Sequence, residues 1–209
     1  MTHPNEALAA LFDAVPGNDL PEVPRFNICP TNPVAVVTSD GIRRLRAMRW
    51  GFVPTWYKTP TDGPLIINAR SDTIAVKPAF REAVRARRCI IPASGFYEWS
   101  AGPDGARLPW HFTRADGAPM ALAGIWQRWG ETDTCAFVTT EGGEAMAGVH
   151  DREPVVLEAA DWPLWLGEAG RGAAVLMKPS VGVLRRHRVG VAVNSNRSTG
   201  AGLIEPVAV

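Results

Sequence analysis

Cysteine is scarce in this 209-residue chain: Cys29, Cys89 and Cys135 are an odd number, and none stands in a CxxC pair. That excludes a disulfide framework and a cysteine-rich zinc site. Histidine is no richer, with four residues of which none lies a helical turn from another, so no metal motif is present. No window of roughly eighteen apolar residues occurs, and the N-terminus lacks the basic start and apolar run of a signal peptide. The expectation is a cytoplasmic protein without membrane association and without a metal or organic cofactor. Low-complexity tracts and internal repeats are missing too. A net charge of +1 says nothing by itself about nucleic acid.

What the chain does contain is an ordinary globular composition, 46% hydrophobic and 21% charged, enough for one domain with a sizeable core over residues 1–209. Its charges are segregated. Residues 41–90 carry eleven Lys and Arg against three Asp and Glu, whereas residues 131–170 carry one against nine. Such separation is either the footprint of a polyanion partner or two halves that neutralise each other across the fold.

Residues 5–15 read as a helix, with Asn5 as N-cap, Leu8, Leu11, Phe12 and Val15 on one face, and Pro16-Gly17 as the stop. Five prolines between 16 and 33 make that stretch an ordered loop. Residues 34–39 and 42–50 form a hairpin about Asp40-Gly41. The ring-rich run Arg49 to Trp56 is broken by Gly51 and Pro54 and reads as a wall. Residues 65–72 predict a short buried strand ending on polar groups, and 78–88 a helix with Phe80, Ala83 and Val84 inward. After Cys89–Trp99 a meander follows at 108–114, 119–129 and 134–140, then a short strand at 154–157 and a helix starting at Asp161. The last expected strand is 190–193. The order predicts an α+β fold with a curled, mostly antiparallel and barrel-like sheet and flanking helices.

The stretch Cys89-Ile90-Ile91-Pro92-Ala93-Ser94-Gly95-Phe96-Tyr97-Glu98-Trp99 turns at Pro-Ala-Ser-Gly and closes on a carboxylate between two aromatics. On a strand, Glu98 points away from both rings, into solvent or into a site. Three segments that end in polar residues mark a candidate site: Asn68 with Arg70, Glu98, and His150 with Arg152. Each alone is weak, since isolated histidines and asparagines are commonly structural.

Together these stretches resemble a family. Asn27 to Pro30-Thr31, Arg49-Trp50-Gly51-Phe52-Val53-Pro54-Thr55-Trp56, Asn68-Ala69-Arg70 with Asp72-Thr73, Cys89 to Trp99, His150-Asp151-Arg152 before Pro154-Val155-Val156-Leu157, and Leu203-Ile204-Glu205-Pro206 are similar to the ordered motifs of the SOS-response-associated peptidase, or abasic-site processing, proteins. The resemblance spans about residues 5 to 207. It implies a protein that binds single-stranded DNA at abasic sites and traps the sugar aldehyde covalently. It further implies that Asn68, Glu98 and His150 line the catalytic pocket, and that Arg70, Trp99, Thr139 and Arg152 follow the DNA path. The residue types suit that chemistry: Glu98 and His150 for proton transfer, Asn68 for holding the amine and sugar oxygens, the arginines for phosphate, and Trp99 for stacking.

The family begins Met-Cys-Gly-Arg, its terminal cysteine supplying the amine and thiol that close a ring on the aldehyde; here the residues are Met1-Thr2-His3-Pro4. The expectation for these 209 residues as written is DNA binding or a reversible imine, without a stable crosslink, and, for a gene product whose true start lies upstream of Met1, the covalent capture that the resemblance implies. Cys29, Cys89 and Cys135 cannot replace a terminal cysteine, and Glu153 stands where the family usually has Met, adding negative charge beside the site. A different class remains open: a Cys/His or Glu/His hydrolase working through Cys89 or Glu98, with no part for DNA.

Overall fold

Runs that are apolar on both faces become the central strands. The computed structural model describes residues 1–208, and of Asp104 its backbone alone. In chain order the elements are α1 (Asn5–Leu11), β1 (Val15–Pro16), β2 (Pro33–Ser39), β3 (Arg43–Trp50), β4 (Asn68–Arg70), α2 (Ala83–Ala86), β5 (Arg88–Ala93), β6 (Phe96–Ala101), β7 (Arg107–Arg114), β8 (Met120–Trp129), β9 (Thr132–Glu141), β10 (Arg152–Pro154), β11 (Val156–Leu157), α3 (Trp162–Leu166) and β12 (Leu184–Arg188). They form a nine-stranded sheet and a three-stranded sheet ordered β12-β7-β6.

Within the large sheet, β3, β2, β5, β8 and β9 follow one another, and β9 returns to β3 through Arg49↔Thr134 and Trp50↔Cys135. The sheet therefore curls into a ring, and most of its pairings are antiparallel. β2 is buried on both faces, hence its unbroken Val34-Ala35-Val36-Val37. Ala35 and Val37 pack with Leu8 of α1, Phe12 just past its end and Trp165 of α3, while Val34 and Val36 pack with Met48, Cys89, Ile91 and Cys135. Phe96 and Leu184 of the small sheet rest on that second cluster, so the two sheets share a core. The α+β architecture with a curled sheet is as the sequence predicts.

The structure corrects several local expectations. The first helix stops at Leu11, a turn early: Asp13 takes a left-handed backbone (φ 50°), and Val15 is 45% exposed in β1 beside β3. Asn5 lies inside the helix and its side-chain amide donates to the Pro21 carbonyl, so it is no cap. The buried strand expected at 65–72 shrinks to β4, with Leu65 exposed and only Ala69 buried. The helix expected at 78–88 is reduced to Ala83–Ala86, because Arg88 already pairs with Ile125 in the sheet. Residues Val191–Asn194 form a 3-10 turn, and the strand of the tail is β12. β5 and β6, consecutive in the chain, do not pair with each other: β5 lies on β8 and β6 on β7, so the chain changes sheets at Ser94-Gly95.

Opposite charges meet across the segregated windows: Arg43 pairs with Glu168 at 2.7 Å and Arg46 with Asp133. Part of the charge separation is thus internal neutralisation. No helix among the described residues is long and apolar enough to cross a membrane.

Candidate active site

The pleat of β6 sets the orientation of Glu98. Phe96, Glu98 and Ser100 face one way, Tyr97 and Trp99 the other. Because Phe96 packs on the large sheet, the Glu98 side is the one turned toward it. On that sheet Asn68 pairs with Phe137 and Arg70 with Thr139, and Phe137 packs in the same cluster as Phe96. Directly paired residues share a face, so Asn68, Arg70 and Thr139 lie on the face that the Glu98 side meets.

His150 ends the loop after β9, and its Nδ1 lies 3.0 Å from the Arg152 amide nitrogen and 3.1 Å from the Arg152 carbonyl oxygen. The backbone of Arg152 thereby fixes the ring. The Arg152 guanidinium donates to the Thr139 carbonyl at 2.7 Å, joining the end of β9 to the start of β10. Burial pushes the Glu98 carboxyl above its ordinary value, opposed by His150 and by Arg107, while Asp151 pushes it further up. A carboxyl of this kind is available as an acid as well as a base. Arg70 is exposed and bonded to Asp72 at 2.6 Å, which holds the Asp72 carboxyl below its usual range.

Trp99 is not brought to this face. It packs with Tyr97, Val189, Val193 and Leu203 on the reverse of the small sheet, its Nε1 donates to Asn194 Oδ1 at 2.7 Å, and the Arg107 guanidinium lies 4.7 Å from its ring centroid. Glu153 is turned inward. Only 1% exposed, its carboxylate accepts from the amides of Gly143 (2.8 Å) and Ser180 (2.6 Å) and from the Ser180 hydroxyl (2.9 Å). Backbone donors take up the charge that sequence reasoning assigned to the site.

Cys89 and Cys135 are fully buried, and burial pushes both thiols far up, which withholds the thiolate a Cys/His hydrolase needs. The N-terminal residues are fastened at the corner ahead of β6: the Thr2 amide donates to Ser94 Oγ at 2.8 Å, and His3 Nδ1 lies 2.8 Å from the same oxygen. The Met1 amine donates to the Arg25 carbonyl, and burial, then Arg25, lowers it to about 6.

Arg107 and Asp151 belong to the electrostatics of Glu98 and were not singled out from sequence. Asp151 is adjacent to His150 in the chain and could have been found there. Arg107 could not, since only the pairing of β6 with β7 brings it near.

The family model described as SOS response associated peptidase (SRAP) matches residues 1–196. Abasic site processing protein YoaM of Bacillus subtilis is 33% identical over 192 residues, covering 87% of this chain and 85% of that protein. Abasic site processing protein YedK of Escherichia coli is 30% identical over 193 residues, covering 88% and 85%. A crystal structure of a protein from Bordetella bronchiseptica superposes with a TM-score of 0.76 at 27% identity, covering 90% of this chain and 96% of that one. Motif order, curled sheet and full-length match agree, and the chain belongs to the SOS response associated peptidase family.

Proposed function

We propose that this chain, acting as one domain, binds single-stranded DNA at abasic sites and captures the ring-opened sugar aldehyde at Asn68, Glu98 and His150. The observation that carries this reading is Glu98 itself: a carboxyl raised by burial, within electrostatic reach of His150, on the side of its sheet that meets Asn68, Arg70 and Thr139. The relatives' names supply the substrate class. Arg70 and Arg152 hold phosphates. β6 is an edge strand, so a DNA strand leaving the Glu98 side can turn over it onto Trp99 and Arg107.

The chemistry follows from these groups. A neutral amine attacks the aldehyde carbon; the carbonyl electron pair moves to oxygen, which takes a proton from Glu98, and the proton lost from nitrogen passes to His150. His150 then protonates the hydroxyl, which leaves as water. Glu98 takes the proton from the resulting iminium, and both groups return to their starting forms. Asn68 holds the amine and the sugar oxygens. In a polypeptide beginning at Met1, the Met1 amine, lowered to about 6, is largely neutral at pH 7; it must leave the Arg25 carbonyl to reach the aldehyde, and its product is a reversible imine. Stable capture requires amine and thiol on one terminal residue, and a few residues placed ahead of Met1 set out from the Ser94 corner, four positions before Glu98.

The test is a denaturing gel with a single-stranded oligonucleotide carrying one abasic site. The chain starting at Met1 should give an adduct only with borohydride, and the chain preceded by Met-Cys-Gly-Arg an adduct without it. Failure of both forms to retain the abasic oligonucleotide would overturn the reading. Ester or peptide turnover lost in Glu98→Gln, with DNA without effect, would replace it by the hydrolase.

A further inference from the structure

The row of side chains that contains Glu98 continues across the small sheet. Glu98 pairs with Trp110 and Trp110 with Arg188, while Phe96 pairs with Phe112 and Phe112 with Arg186. By the alternation of the pleat all six share the face turned toward the large sheet. The guanidiniums of Arg186 and Arg188 lie 4.9 and 5.3 Å from the centroid of the Trp110 ring, whose Nε1 is held by Ser100 Oγ at 2.9 Å. Cation–π contact with a half-buried Trp holds both cations against one ring.

Their remaining contacts are backbone carbonyls. Arg186 donates from Nη1 to Ala145 and Ala147, at 2.8 Å each, and Arg188 from Nε to Pro109 at 3.2 Å. Neither takes part in an ion pair among the described residues. Arg188 keeps both terminal nitrogens, and Arg186 keeps Nε and Nη2. β12 is the edge of its sheet, and Arg186 and Arg188 are both partly exposed. Two preoriented guanidiniums with unused planar donors, in line with the Glu98 carboxyl, match a phosphodiester.

We infer that Arg186 and Arg188, propped on Trp110, form a second phosphate-binding strip for the DNA strand, on the opposite sheet from Arg70 and Arg152. The inference rests on the DNA-binding reading given above. It assigns the Glu98 site two cationic walls, one from each sheet, with the flanking phosphates of one strand held between them. Arg186 also braces the 142–150 loop that carries His150, whereas the Arg188 side chain is bonded only within its own sheet.

The experiment measures binding of an undamaged single-stranded oligonucleotide against salt for the wild type, Arg188→Ala and Arg188→Lys, with thermal melts of each. Arg188→Ala should bind several-fold more weakly and lower the slope of log affinity against log salt by about 0.7, the share of one single-strand phosphate contact. Arg188→Lys should restore the slope. Wild-type binding with an unaltered slope in Arg188→Ala overturns the strip and leaves the DNA reading standing. Absence of wild-type binding overturns both.

Discussion

Gly95 lies against the ring of His111: a Cβ at residue 95 would come within 2.2 Å of His111 Nε2 and 2.8 Å of the Phe112 carbonyl oxygen. The chain can change sheets at this corner because residue 95 has no side chain. Gly95→Ala must displace a buried ring or a strand carbonyl. A cost of about 1–3 kcal/mol is expected, read as a lower urea midpoint with an unchanged slope.

His111 gives the fold an acid sensitivity. It is 7% exposed, and burial first, then His187 and the N-terminal amine, lower it from 6.5 to about 4. Between those values the unfolded chain binds a proton that the folded chain does not, so stability falls as pH drops from 6.5 toward 4. The contribution lost is about 3 kcal/mol. Melts at pH 7, 5.5 and 4.5 should show this decline, and His111→Phe should flatten it.

Glu98→Gln keeps the size of the side chain and removes its proton chemistry. Borohydride-trapped adduct should form roughly a hundredfold more slowly, with oligonucleotide affinity little changed. Equal trapping rates in variant and wild type would remove Glu98 from the reaction.

Glu153 clamps the 142–153 loop through Gly143 and Ser180. In Glu153→Gln one oxygen becomes an amide that cannot accept, leaving a buried backbone N–H without a partner. The expected loss is about 1–3 kcal/mol by urea unfolding, together with faster hydrogen exchange at Gly143 or Ser180.

The sequence carried the fold class and the local runs well, because β2, β5, β8 and β9 each show their burial in their own residues. It misled where a run obeys a distant partner. Arg88 looks helical until Ile125 pairs with it, and residues 190–193 look like a strand until the neighbouring β12 takes that place on β7. The same divide runs through the site. The residues proposed for the site, Asn68, Glu98 and His150, are named from motifs of adjacent residues, whereas Arg107, Arg186 and Arg188 come into line with Glu98 only through strand register. Trp99 adjoins Glu98 in sequence, yet one step along a pleated strand reverses the face. Glu153 sits one residue from Arg152 and is turned inward for the same reason.

The switch of sheets at Ser94-Gly95 also bears on the order of assembly. β6 and β7 can meet early as neighbours, but their third strand, β12, comes from the far end of the chain, and β5 must wait for β8. Closing such long loops is slow, and during synthesis it is delayed until the ribosome has passed residue 188. Glu98 is thus made in the first half of translation, while the strand that completes its row arrives near the end, and a partly made chain cannot present that row as one surface.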